Sequence, residues 1–425
     1  MLGYLKPKFF SVIKKYTKAQ FIKDVTAGLI VAIIALPLSI ALALASGVEP
    51  ARGIYTAIAA GFFVALLGGS RVQIAGPTAA FATVVAGVVS TQGSDGLFMA
   101  TVMAGGMLIL MGVFKLGRLI KFIPHSITVG FTGGIAVTIL LGQIKDFLGL
   151  TYANGVRPIE AMEKMEANIE FIGTFSWQAL TVGLLSLIIL ILYPKLEKRV
   201  PPSLVAVVVG ALLVGLIPIF SSGVYTIGDL YTIPSGLPKI NFSSMDFSAS
   251  KIVAVLPDAV TIAVLAAIES LLSCVVADGM INSKHNSNAE LVAQGVGNIA
   301  SVMFGGIAAT GAIARTAANI KNGGRTPVAA MVHSVVLLLV LVFLMPYAEW
   351  IPMPVIAAIL FVVAYNMSEW RKFIEIIKSR KYTDILILFL TFLLTIVFDL
   401  VVAIAFGLML HYLFVLLKKL LKKQM

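Results

Sequence analysis

Apolar runs dominate the chain from Val25 onward, and most are too long and too uniformly apolar to be strands. Polar, Gly- and Pro-containing breaks divide them into fourteen segments: 25–46, 52–68, 78–92, 97–114, 124–144, 177–194, 202–219, 253–277, 289–304, 311–322, 327–346, 353–368, 383–398 and 400–417. A helix crosses a hydrocarbon core in about 20 residues, and a backbone in lipid must satisfy its own hydrogen bonds, so this pattern predicts membrane-spanning helices. The first 24 residues are different: six lysines are spread through a mixed amphipathic run. That spacing predicts an interfacial cytoplasmic helix rather than a cleavable leader.

Two of the segments are short for a span, those beginning near 78 and 311, and each follows a Gly-containing extended stretch, "RVQIAGPT" at 71–78 and "GGIAATG" at 305–311. The same order of long helix, turn, helix, Gly-rich break and half helix occurs once in each half. A shift of 234 residues pairs Asp24 with Asp258, Ser39 with Ser273, Thr78 with Ala312 and Phe81 with Arg315. Seven segments precede the second copy, an odd number, so the two copies are expected to be inverted. Broken helices in matching positions point to a transporter's binding site, because helix N-termini present free amides and a positive dipole end to an anion.

Composition supports a membrane location. The chain of 425 residues is 59% hydrophobic and 12% charged, with mean hydropathy +1.00; soluble proteins carry about a quarter charged residues. The net charge of +12 follows topology. With the N-terminus inside, 25 Lys and Arg fall on the cytoplasmic side and six outside, among the latter Arg157 and Lys239. The positive-inside rule therefore accounts for the basic excess without a nucleic acid, and both termini are expected in the cytoplasm of an inner or plasma membrane protein. One cysteine, Cys274, and four scattered histidines offer no disulfide and no metal cluster. No nucleotide-binding loop, nucleophile elbow or HExxH pattern is present, so neither an enzyme nor a cofactor is expected.

Two charges sit well inside apolar segments: Glu269 in "AVLAAIESLLSCVV" and Arg315 in "TGAIARTAANIKNGG". Intramembrane charges cost at least about 2.5–3.5 kcal/mol and mark functional sites by default. Arg315 is a candidate anion attractor at the mouth of the second half helix, where Gly311, Ala312 and Ala314 would admit a ligand to backbone amides. The alternatives are a structural pair with Glu269 or a snorkelling side chain. Glu269 is a candidate proton or cation carrier, with Ser273 one turn on along the same face; the alternative is a static bridge to Arg315. "SNAE" at 287–290 is expected to form a capping box, with Ser287 accepting an amide and Glu290 reaching back. Pro37 is expected to kink or unwind the first segment. His125, His285, Asp278 and Asp399 fall at segment ends, where ordinary helix-terminal or solvated roles are expected.

The chain resembles the SulP, or sulfate permease, anion transporters, called solute carrier 26 in animals, over nearly its whole length. "DVTAGLIVAIIALPLSIALALASGVEPARGIYTA" at 24–57 is similar to the family's first-helix signature, "IAGPTAAFATVVAG" at 74–87 to its third segment, and "IPHSITVGFTGGIAV" at 123–137 to its fifth. Residues 267–329, from "AIESLLSCVV" through "GAIARTAANI", carry the most specific match. The resemblance implies an all-α membrane protein of the UraA-like fold, with two intertwined inverted repeats of seven segments and half helices at segments 3 and 10. It implies a 25–420 transport domain after the 1–24 segment, with a core (about 25–114 and 253–346), a gate (about 124–219 and 353–417), elevator-like movement and a homodimer in membrane lipid. Carried over by position, the anion site lies between Thr78, Ala79 and Ala80 on one side and Ala312, Ile313, Ala314 and Arg315 on the other, with Leu38 and Leu42 as apolar walls. Glu269 and Ser273 fall at the coupling positions.

Two departures matter. Sodium-using bicarbonate members carry Asp at 269, Thr at 273 and a hydroxyl at 313, where this chain has Glu, Ser and Ile. The family also normally carries a STAS domain after segment fourteen, and none is present within this chain. The expectation is therefore a proton-coupled symporter of sulfate, bicarbonate or a dicarboxylate. The alternatives are sodium-coupled bicarbonate symport or exchange, a nucleobase symporter, which would place carboxylates on segments eight and ten, and an anion channel or voltage-responsive motor.

Overall fold

The computed structural model describes residues 5–118, 124–153, 156, 158, 160–197, 200–232, 248–397 and 400–424. Arg157, Lys239 and Asp399 lie outside them. The helices in chain order are α1 (Lys8–Val12), α2 (Lys18–Ala45), α3 (Pro50–Leu67), α4 (Ala79–Val113), α5 (His125–Leu148), α6 (Ala161–Glu170), α7 (Trp177–Leu196), α8 (Pro202–Leu216), α9 (Pro218–Ser221), α10 (Ile227–Leu230), α11 (Ala249–Ile281), α12 (Ser287–Met303), α13 (Ile313–Lys321), α14 (Pro327–Phe343), α15 (Met353–Met367), α16 (Trp370–Lys378), α17 (Tyr382–Val397) and α18 (Leu400–Gln424). Among the described residues, six of these helices (α2, α3, α4, α5, α7 and α11) and the stretch Met353–Lys378 are long and apolar enough to cross a membrane. Four further apolar stretches of 10 to 17 residues are Pro202–Leu216, Pro327–Phe343, Tyr382–Val397 and Val402–Leu416.

Local chemistry sets the ends. Thr17 accepts from the Gln20 amide at 3.2 Å and starts α2 at Lys18, before Val25, because the polar turn 18–24 continues the same helix. The helix then runs unbroken through Pro37, so the expected unwinding there does not occur. Segments three and four are two helices in direct succession within α4, separated at Gly93, whose φ of 71° lies in the left-handed region. The short amphipathic helices α6 and α16 were not among the expected segments, since their polar content hides them from a search for spans.

Helices α2, α3 and α4 pack on α11, α12, α13 and α14, while α5, α7, α8, α15, α17 and α18 pack mainly among themselves. Small residues let the first group interlock. A Cβ on Gly105 of α4 would stand 2.8 Å from the Gly295 carbonyl of α12, and a Cβ on Gly295 would stand 2.5 Å from the Gly105 carbonyl. Such backbone-to-backbone contact is how helices associate where lipid removes the hydrophobic drive.

Buried carboxylates tie the two halves together. Asp24 accepts from Tyr16 Oη (2.9 Å), Gln20 Nε2 (2.9 Å), the Arg325 amide (2.9 Å) and Thr326 Oγ1 (2.6 Å), fastening the N-terminal segment to the loop before α14. Burial and the Asp24 carboxylate push the Tyr16 phenol up, which keeps it a donor. Glu290 does not form the expected capping box: Asn286 caps α12, and Ser287 Oγ meets His285 Nε2 at 2.9 Å. The Glu290 carboxylate is fully buried and accepts instead from the amides of Gly69 (2.9 Å) and Ser70 (3.1 Å) and from Gln294 Nε2 (3.1 Å). A carboxylate without water takes the amides of the stretch packed against it, whatever the local sequence offers. Asp278 likewise is engaged, accepting from the His285 amide at 2.8 Å and meeting His285 Nδ1 at 2.7 Å.

Replacing Glu290 by Ala strands two buried amides, at about 2–4 kcal/mol. We expect the detergent-solubilised variant to melt several degrees lower; an unchanged melting temperature would contradict this account of the carboxylate.

Candidate functional site

The two Gly-containing stretches pair with each other. Residues Ala75–Gly76 (β1) and Thr310–Gly311 (β2) form a two-stranded antiparallel sheet with Ala75 opposite Gly311 and Gly76 opposite Thr310. The Ala312 amide extends the ladder to the Ile74 carbonyl at 2.8 Å. Polar side chains hold the crossing from behind: Thr316 Oγ1 accepts from the Ile74 amide (3.0 Å), Asn319 Nδ2 donates to the Val72 carbonyl (2.8 Å), and Ser270 Oγ accepts from the Gly311 amide (3.0 Å). Extended backbone deep in a helical bundle is tolerated where its amides and carbonyls find such partners.

Each strand leads directly into a helix, β1 into α4 and β2 into α13. The residues before them, Thr78 and Ala312, make no side-chain cap. Alanine has none to make. Thr78 has the right chemistry, but its hydroxyl donates to Glu269 Oε2 on α11 at 2.9 Å. Both helices therefore reach the crossing with uncapped N-termini, the positive ends of their dipoles.

A cavity of about 270 Å³ opens at these ends. It is lined by Leu38 and Leu42 of α2, by Thr78, Ala79 and Ala80, by Gly311, Ala312, Ile313, Ala314 and Arg315, and by Glu269. The structure thus brings together every residue expected to contact the anion. Ser273 is not among them: it is buried, and its hydroxyl donates to Thr316 Oγ1 at 3.4 Å on the far side of the crossing. One turn beyond Glu269, it joins α11 to α13 through that contact.

Arg315 is only 2% exposed. Its Nη2 donates to the Pro77 carbonyl, and its Nε and Nη1 have no partner. Among the described residues no carboxylate pairs with it within 4.0 Å, so the static bridge to Glu269 does not form. A buried guanidinium with two unpartnered nitrogens, lining the same cavity as the uncapped starts of α4 and α13, puts positive charge at that end of the cavity.

Sequence reasoning missed the opposite wall. Thr132 of α5, Val363, Asn366 and Met367 of α15, and Glu369 complete the cavity. Asn366, polar at the end of an apolar run, was the one available signal. His333 of α14 was also missed: it is fully buried, with both ring nitrogens unpaired.

Gly76 closes the arrangement. A Cβ there would lie 2.7 Å from Arg315 Nη1 and 3.3 Å from Ala57 Cα, at a φ of 154°. We expect Gly76→Ala to displace the guanidinium and remove anion uptake while leaving the protein in the membrane; uptake at the wild-type rate in vesicles would contradict the placement.

A bundle of apolar helices with a small, mainly apolar cavity that a few charged and polar side chains enter, where two broken helices start, is the build of a membrane transporter. A family model described as the sulfate permease family matches residues 21–391, and the chain belongs to that family, whose members here are anion transporters and not enzymes. It is 44% identical over 412 residues to YvdB of Bacillus subtilis (strain 168), named for sulfate transport, covering 96% of this chain and 76% of the relative. It is 33% identical over 398 residues to the bicarbonate transporter BicA of Picosynechococcus, covering 90% and 68%. The solved transmembrane domain of a cyanobacterial BicA superposes with a TM-score of 0.81 at 30% identity, over 91% of this chain and 98% of that one. SLC26A9, at 19% identity and a TM-score of 0.87 over 98% of this chain and 68% of that one, shares the fold.

Proposed function

We propose that the protein is a secondary active transporter of a small anion, of the sulfate, bicarbonate or dicarboxylate class, coupled to protons. The observation that carries this reading is Arg315: buried, unpaired by any carboxylate, and lining the same cavity as both uncapped half helices. In it the anion lies between the first-turn amides of α4 and α13, with Arg315 as fixed counter-charge and Leu38 and Leu42 as dry walls. Glu269 carries the coupling proton. It is linked to the site through Thr78, not locked to Arg315, so it is free to change its protonation as the site loads.

The wider architecture follows the same reading: fourteen spanning segments in two inverted repeats of seven, both termini cytoplasmic, and a homodimer in the plasma or inner membrane. The packing of α2–α4 with α11–α14, apart from α5, α7, α8, α15, α17 and α18, supports a core moving as an elevator against a gate. The cavity lies at the seam, with α2, α4, α11 and α13 on one side and α5 and α15 on the other.

The test is uptake of labelled sulfate, bicarbonate and a dicarboxylate into proteoliposomes under imposed pH and sodium gradients. Concentrative uptake driven by an inward proton gradient is expected. Drive by sodium alone would replace the proton with sodium, and ohmic current without accumulation would make the protein a channel.

A further inference from the structure

The ionisable residues lining the cavity are Arg315, Glu269 and Glu369. With Glu269 charged, that lining carries one positive and two negative charges, a poor receptacle for an anion. What changes the balance stands just outside it. Lys372 Nζ meets Glu369 Oε1 at 2.7 Å, and the Lys372 amide donates to the Glu369 carbonyl at 2.8 Å. Glu369 takes a left-handed conformation, φ 45°, between the end of α15 and the start of α16, where a non-glycine residue is disfavoured. That conformation turns the chain between α15 and α16 where Glu369 lines the cavity, with Lys372 one helical turn away.

We propose that the Glu369–Lys372 pair is the charge-selectivity element of the cavity rim: Glu369 opposes anions in proportion to their charge, and Lys372 sets how much of that opposition is felt. The inference rests on the anion-transport reading above. Both side chains are partly exposed, 32% for Glu369 and 47% for Lys372, so the pair adds little to stability. Its effect falls on the field that an entering or leaving anion crosses, which is screened by salt. Interaction with a fixed charge scales with ligand charge, so any factor in affinity for a monovalent anion is squared for a divalent one. The pair therefore tunes discrimination between a divalent anion such as sulfate and a monovalent one such as bicarbonate.

The experiment measures binding of sulfate and of bicarbonate to the full chain in lipid nanodiscs at low ionic strength, for wild type, Glu369→Gln, Lys372→Gln and the double variant. Glu369→Gln is expected to tighten sulfate roughly fourfold and bicarbonate roughly twofold, and Lys372→Gln to weaken them in the same proportion. The double variant is expected within about twofold of wild type, with all differences shrinking at high salt. If wild type binds both anions but neither single variant moves the sulfate-to-bicarbonate ratio, this inference falls alone. If wild type binds neither anion while Arg315→Ala behaves identically, the transport reading falls and takes this one with it.

Discussion

Arg315→Ala is expected to weaken anion binding roughly 100-fold or more, since removing one member of a buried charge pair costs about 2–5 kcal/mol. The reason is geometric. The guanidinium has one bond, to the Pro77 carbonyl, and two unpaired nitrogens beside the uncapped ends of α4 and α13. In the empty protein an uncompensated buried charge is a burden, so the variant should melt no lower than wild type. What it should lose is the rise in melting temperature that saturating anion gives, worth about 2.7 kcal/mol at 100 times Kd in a protein that binds. Arg315→Lys should fall between, because an ammonium keeps the charge and loses the planar fork that meets an oxyanion with two donors. A variant that folds, binds anion at wild-type affinity and is stabilised by it would remove Arg315 from the site.

Glu269→Gln is expected to separate coupling from translocation. Glutamine mimics the protonated acid in shape and still accepts from Thr78, so the half helices keep their position. Acceleration of uptake by an inward proton gradient should vanish, and anion counterflow between loaded vesicles should continue within a few-fold of wild type. A variant that retains the full pH-gradient response would place the coupling proton elsewhere, with the fully buried and unpartnered His333 the next residue to test.

Much of this was legible in the chain, for identifiable reasons. The spans were, because apolar length is a one-dimensional signal: α3, α5, α7, α12, α15 and α17 begin within about two residues of the polar breaks. Arg315 and Glu269 were, because a charge in an apolar run has few structural explanations. The pairing of β1 with β2 was not, since two residues per strand leave no period, and only the glycines at 76 and 311 hinted at close approach. Glu290 misled because its local context imitates a cap, while the backbone amides it accepts from lie 220 and 221 residues away. Ser273 meets Thr316 and does not line the cavity, because a shared helix face does not specify which neighbour that face meets. The wall from α5 and α15 stayed hidden because Thr132, Val363 and Met367 carry no charge to stand out, and Glu369 sits in a polar stretch where a carboxylate is ordinary.

The central claim is that the anion occupies the gap between the first turns of α4 and α13 against Arg315. The most direct measurement is a density map of the full chain in lipid, saturated with the anion that the uptake assay selects, compared with a map without it. The claim predicts one additional peak within hydrogen-bonding distance of the amides of Ala79 or Ala80, of Ile313 or Ala314, and of an Arg315 nitrogen. Anion density elsewhere in the bundle, with this gap empty and Arg315 still bonded only to Pro77, would contradict it.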